Sequence, residues 1–111
     1  MSTTLVPTHL FHEDLTQLVG DIPESSIVSR QVLKNDHLKA TLFGFAPGQE
    51  LSEHTAAKPV ILQVISGEGT FGFRDEVVTV GPGSFAYMEP HLPHTVTAKT
   101  PLVFLLLMLK G

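Results

Sequence analysis

Residues 60–83 read Val-Ile-Leu-Gln-Val-Ile-Ser-Gly-Glu-Gly-Thr-Phe-Gly-Phe-Arg-Asp-Glu-Val-Val-Thr-Val-Gly-Pro-Gly. Three short runs rich in β-branched and aromatic residues, Val60–Ile65, Thr70–Arg74 and Val77–Val80, are separated by Ser-Gly-Glu-Gly and Asp-Glu. They close on Gly81-Pro82-Gly83. Each run is too short for a stable helix and has the composition of a strand, and the separators are turn formers. Working outward, Leu38–Phe45 alternates between two faces and ends on Pro47-Gly48. Ile27–Leu33, Ser84–Met88, Thr95–Ala98 and Leu102–Leu109 add further strands, eight or nine in all. Short strands punctuated every ~8–12 residues predict an all-β sandwich or barrel.

One segment differs. His12–Val19 carries acids near its start, Leu15, Leu18 and Val19 on one face, and Gly20 just past its end. It predicts a short helix within an N-terminal arm over residues 1–26, ahead of a barrel over 27–111. The chain has 111 residues, a net charge of −4, no Cys and only 16% charged residues. One domain fits that length. The absence of Cys excludes disulfides, thiol nucleophiles and thiolate metal ligands. Seven Lys and Arg against eleven Asp and Glu argue against nucleic-acid binding, which needs phosphate neutralisation. No membrane segment is expected, because the longest apolar run, Leu102–Leu109, is far short of the ~20 residues of a span. With no basic, apolar leader at the start, a cytoplasmic protein is expected. Leu102–Leu109 is apolar on both faces, so both need cover. Barrel interior on one side and a second copy on the other, a homodimer, is the simplest expectation.

Six histidines are present. His9, His12 and His37 lie in polar surroundings and read as solvated. His54 and His94 each stand beside a turn and a strand: His54 at the end of Pro47-Gly48-Gln49-Glu50-Leu51-Ser52-Glu53-His54, and His94 at the end of Glu89-Pro90-His91-Leu92-Pro93-His94. From neighbouring strands they can converge inside a small barrel, where imidazoles serve as metal ligands or acid–base groups. Tyr87 is placed with them, because a buried hydroxyl needs a partner and can join in proton transfer. The phenylalanines at 43, 45, 71, 73 and 85 read as core and barrel wall.

These spacings resemble the small single-domain cupins, RmlC-like jelly rolls of the cupin 2 type. Gly48, five residues, His54 and a closing Gly67 follow their first motif; Gly83 and the Pro-rich turn ending in His94 follow their second. The resemblance covers Ile27–Leu109 and implies a jelly-roll barrel with a short N-terminal arm. It also implies a metal site built from His-x-His, a Glu and a second-motif His. Here the second His falls on Ala56 and the Glu on Val60, leaving His54 and His94. A third ligand has to come from Glu89 or His91. Glu53 and Gln63 have the wrong parity along their strands.

The expected function is binding of a small molecule in an apolar barrel pocket anchored by His54 and His94, with metal weak or absent. The alternative is a metal-dependent enzyme of dioxygenase, isomerase or lyase type. There His54, His94 and the third ligand would hold Zn, Ni, Fe or Mn, or the imidazoles would work as metal-free bases beside Tyr87. A DNA-binding regulator is disfavoured, because the length leaves no room for a helix-turn-helix.

Overall fold

The computed structural model describes residues 8–110. The first seven residues of the expected arm and Gly111 lie outside the described residues. The chain runs α1 (Thr16–Val19), β1 (Ile27–Lys34), β2 (Leu38–Phe45), β3 (Glu50–His54), β4 (Val60–Ser66), β5 (Gly69–Phe73), β6 (Glu76–Val80), β7 (Phe85–Met88), β8 (His94–Ala98) and β9 (Leu102–Leu109). A five-stranded sheet, β1-β2-β9-β4-β7, faces a four-stranded sheet, β3-β8-β5-β6. The neighbours given in register all pair antiparallel. β3 is a strand that the turn-and-run pattern does not single out, since Glu50, Ser52 and Glu53 leave it little apolar character.

The helix is shorter than expected, four residues in place of His12–Val19. The Asp14 carboxylate accepts from the Thr16 backbone N–H at 3.0 Å and from its hydroxyl at 2.6 Å. This local turn uses the side chain that would have charged the first turn, so the helix begins after it.

Phenylalanine fills the barrel. Phe104 on β9 stacks on Phe43 with ring centroids 5.4 Å apart, and meets Phe45 edge-on at 5.2 Å and Phe71 at 6.2 Å. Phe73 joins through Phe71. Leu62, Val64, Met88, Val96 and Leu102 complete this core.

β9 is buried over Leu102–Phe104 and part-exposed over Leu105–Leu109, and the outer cover near its start comes from the chain itself. Val19 of α1 packs with Leu42 and Val103, and Leu15, Leu18, Ile22 and Leu105 surround them. Gly44 permits this seating: a Cβ there would lie 2.6 Å from a Val19 methyl and 2.9 Å from Ile22 Cδ1. The N-terminal arm therefore covers the outer face of the sheet over Leu42, Val103 and Leu105.

Candidate functional site

Antiparallel pairing of β3 with β8 sets His54 directly opposite His94, and pairing of β8 with β5 sets His94 opposite Phe73. The imidazole centroids are 4.1 Å apart, with the ring planes inclined at 59°. His94 is 3% exposed and is the sole buried polar side chain among the described residues; His54 is half-buried above it. Each ring is held in the same way. His54 Nδ1 lies 3.1 Å from the Ser52 carbonyl oxygen, and His94 Nδ1 lies 3.0 Å from that of Leu92. A carbonyl only accepts, so both Nδ1 atoms carry the proton and both Nε2 atoms keep a lone pair. The two holding carbonyls belong to the residue two before each histidine. Sequence reasoning missed them, because every residue has a carbonyl and only the strand geometry aims these two.

Two loops frame the rings. The turn 89–93 is tied to the β3–β4 loop by the His91 backbone N–H, which donates to the Ala56 carbonyl at 2.7 Å. His91 adopts φ +69, a left-handed conformation uncommon outside glycine.

Tyr87 is not in this group. Along β7, Ala86 and Met88 pack into the barrel, so Phe85 and Tyr87 project from the outer face, 61% and 54% exposed. Period-two alternation places Tyr87 with Phe85, and the burial of Met88 decides which face is inside. The expected Tyr87 hydroxyl beside His54 is therefore corrected. The phenylalanine cluster occupies the barrel centre, and Phe73, which joins it through Phe71, stands opposite His94. A groove of about 280 Å³ does exist, but on the opposite surface of the four-stranded sheet, lined by Glu68, Gly69, Thr70, Thr79, Thr97 and Lys99.

Comparison with known proteins bears on this architecture. A sequence model described as cupin domain matches residues 41–108, more than half of the chain. The chain belongs to the cupin family. Among solved structures, it is similar to a cupin superfamily protein from Desulfitobacterium hafniense DCB-2 (TM-score 0.82, 23% identity, 92% of this chain and 95% of that one). It is also similar to a conserved protein of unknown function from Streptococcus pyogenes (TM-score 0.81, 26% identity, 100% and 96%). A third likeness is to an RmlC-like cupin from Shewanella frigidimarina NCIMB 400 (TM-score 0.73, 19% identity, 82% and 81%). No match is found among curated protein sequences. No helix among the described residues is long and apolar enough to cross a membrane.

In this cupin the residues present do not fit a resident divalent metal. Val60 is buried in the core and Ala56 packs against it, so methyl groups stand where a ligating His and Glu are needed. Glu89 and His91, the expected third ligands, are exposed on the turn. No group of three or more His, Cys, Asp or Glu gathers among the described residues. Two imidazoles fall short of the three protein ligands that hold a catalytic ion. Gln63 and Glu53 are likewise exposed.

Burial holds the His94 imidazole below its ordinary range; its bond to Leu92 opposes this, and charge on His54 adds to it. The unfolded chain has no such burial, so on acidification it takes up a proton before the folded barrel does. The stability from neutral His94 is complete above the unfolded value of about 6.5 and is lost as pH falls toward the folded value. Melting curves from neutral to mildly acidic pH are expected to show stability falling with pH, by no more than about 1.4 kcal/mol per pH unit for one proton. His94→Gln should flatten that slope; an unchanged slope counts against the assignment.

Proposed function

We propose that this cupin binds a small organic molecule at the barrel mouth, with His54 and His94 as paired hydrogen-bond acceptors. The observation that carries this reading is the matched tethering of the two rings, Nδ1 to the Ser52 and Leu92 carbonyls, which leaves an Nε2 lone pair on each of two rings whose centroids are 4.1 Å apart, with no other buried polar side chain among the described residues. Two neutral acceptors favour an uncharged ligand that presents hydroxyl or N–H donors, and they repel an anion until one imidazole is protonated. Phe73, opposite His94 on β5, supplies an apolar wall. A neutral imidazole is also the form that accepts a proton, so a bound hydroxyl would meet a base in hydrogen-bond reach. This cupin's own side chains supply that chemistry, and no step runs through a metal.

The test follows the imidazole nitrogens by NMR during titration with a panel of small diols, polyols and primary amides. Binding should move both Nε2 resonances for at least one compound, and His94→Gln should weaken that compound by about tenfold or more, the loss of one to two hydrogen bonds. If no compound moves either nitrogen, or the hit survives His94→Gln unchanged, the histidine pair is not a ligand anchor.

A further inference from the structure

The charges of the chain are spread unevenly. Four of its five lysines, Lys34, Lys39, Lys58 and Lys110, come from three separate stretches of sequence and meet at one end of the five-stranded sheet. Pairing of β1 with β2 sets Lys34 directly opposite Lys39. Pairing of β2 with β9 sets Leu38 opposite Leu109, and just beyond it the Lys110 N–H donates to the His37 carbonyl at 2.9 Å. The Leu109 N–H donates to the Pro59 carbonyl at 3.0 Å, which brings Lys58 to the same end. All four side chains are exposed. Two carboxylates share this corner: Asp36 in the β1–β2 turn, and Glu89, next to Met88, which pairs with Val60. The corner therefore sets four cations against two carboxylates, on a chain that carries seven cations against eleven. Edge protection does not account for it. Lysine guards exposed sheet edges, but of the four only Lys34 stands on an edge strand. Like charges directly opposite on neighbouring strands, with Cβ atoms about 4.5–5.5 Å apart, destabilise a sheet. The turn holds that pair in place. Asn35 Oδ1 accepts from the His37 and Leu38 N–H groups at 2.8 and 3.0 Å, and the Asn35 N–H donates to the Leu38 carbonyl at 3.0 Å.

We propose that this corner binds a phosphate dianion, with Lys34 and Lys39 as its principal contacts and Lys58 and Lys110 around them. An anion seated between the opposed ammonium groups turns their repulsion into two attractions. The cations select the anion. All four are lysines, and an ammonium is a point charge whose donors meet a tetrahedral oxyanion from any side. The planar guanidinium fork that matches a carboxylate is not part of this corner: Arg30 pairs with Leu42 in mid-strand, and Arg74 follows β5 on the other sheet. Charge balance points the same way. A dianion together with Asp36 and Glu89 neutralises the four lysines, whereas a single carboxylate leaves an excess of positive charge. A cluster confined to one corner also lacks the extended basic stripe that follows a nucleic-acid backbone. His54 and His94 stand on β3 and β8 of the other sheet, so the proposal does not rest on the reading of that pair.

Backbone amide NMR of the full chain at low salt and about pH 8, where phosphate is a dianion, reads this directly with inorganic phosphate and with glycerol 3-phosphate as probes. The expected result is saturable shifts centred on Lys34, Lys39 and Lys110 that weaken as sodium chloride is raised. Acetate at equal ionic strength should bind about tenfold more weakly or not at all. Lys34→Gln and Lys39→Gln alter exposed side chains and so should fold, verified by circular dichroism. Each should raise the phosphate dissociation constant about tenfold or more, the loss of one charged hydrogen bond. Lys99→Gln, at the one lysine outside the corner, and His94→Gln should leave it unchanged. Cosedimentation with phosphatidylcholine vesicles, with and without phosphatidic acid, separates the sources of the dianion. Binding to the phosphatidic acid vesicles alone assigns it to a lipid headgroup, and binding of the soluble probes alone assigns it to a small phosphorylated molecule. Shifts that sodium chloride reproduces at equal ionic strength, with no vesicle binding, overturn the proposal. So does phosphate binding that survives both corner variants, or that Lys99→Gln abolishes.

Discussion

Phe104→Ala is expected to destabilise the barrel by about 3–5 kcal/mol, the range for truncating a buried aromatic. Phe104 is 1% exposed on β9, the central strand of its sheet. Its ring touches Phe43 on one neighbouring strand pair and Phe71 on the facing sheet, so it joins the two layers. Phe45 closes the third side at 5.2 Å. The surrounding rings sit on hydrogen-bonded strands and cannot slide inward to fill the space, which puts the cost toward the upper end. Against a total stability of roughly 5–15 kcal/mol for a domain, the loss takes a third or more. Urea unfolding should show a lower midpoint with an unchanged slope. Phe85→Ala, at a side chain exposed on the outer face, should change the midpoint little. A cost for Phe104→Ala under about 1.5 kcal/mol would mean that the barrel centre is not packed as described.

Gly67→Ala is expected to cost about 3 kcal/mol or more, combining a left-handed backbone penalty of about 1–2 kcal/mol with a backbone clash. Gly67 has φ +87. A Cβ there would lie 1.9 Å from the Pro101 carbonyl oxygen and 2.9 Å from Leu102 Cα, and these are main-chain atoms that no rotamer change can move. The two segments are also laced together. The Glu68 carbonyl accepts from the Lys99 and Thr100 backbone N–H groups, and the Glu68 N–H donates to the Thr100 hydroxyl. Relief of the clash therefore breaks the link between the β4–β5 and β8–β9 turns. Gly48→Ala is the matched comparison. Gly48 has φ +83 but nothing within 4 Å of a Cβ, so only the conformational penalty of about 1–2 kcal/mol applies. Equal losses for the two variants, by the same urea measurement, would show that close packing at Gly67 adds nothing.

Much of this cupin was legible in its sequence, and the reason is period two. Alternation and turn residues place β2 and β9 at their observed limits and most other strands to within a residue or so, because each short run is bounded by Gly, Pro, Asn, Asp or Ser. The resemblance to the cupin motifs, not the alternation, singles out His54 and His94 and sets Ala56 and Val60 where ligands would stand. β9 has no polar face to give to water, and the chain buries it fully only over Leu102–Phe104.

Alternation says which residues share a face but not which face is inside. Tyr87 shows the limit: it shares a face with Phe85 by sequence alone, and only the packing of Met88 against the other sheet turns both outward. The cover over Leu42 and Val103 was equally undecided, because an apolar strand face is satisfied by any apolar partner; α1, shortened by the Asp14 turn, supplies it beside Gly44. The tautomers of the histidine pair came last. They depend on two carbonyls with no sequence signature, and the fold alone brings those carbonyls to about 3 Å from each ring.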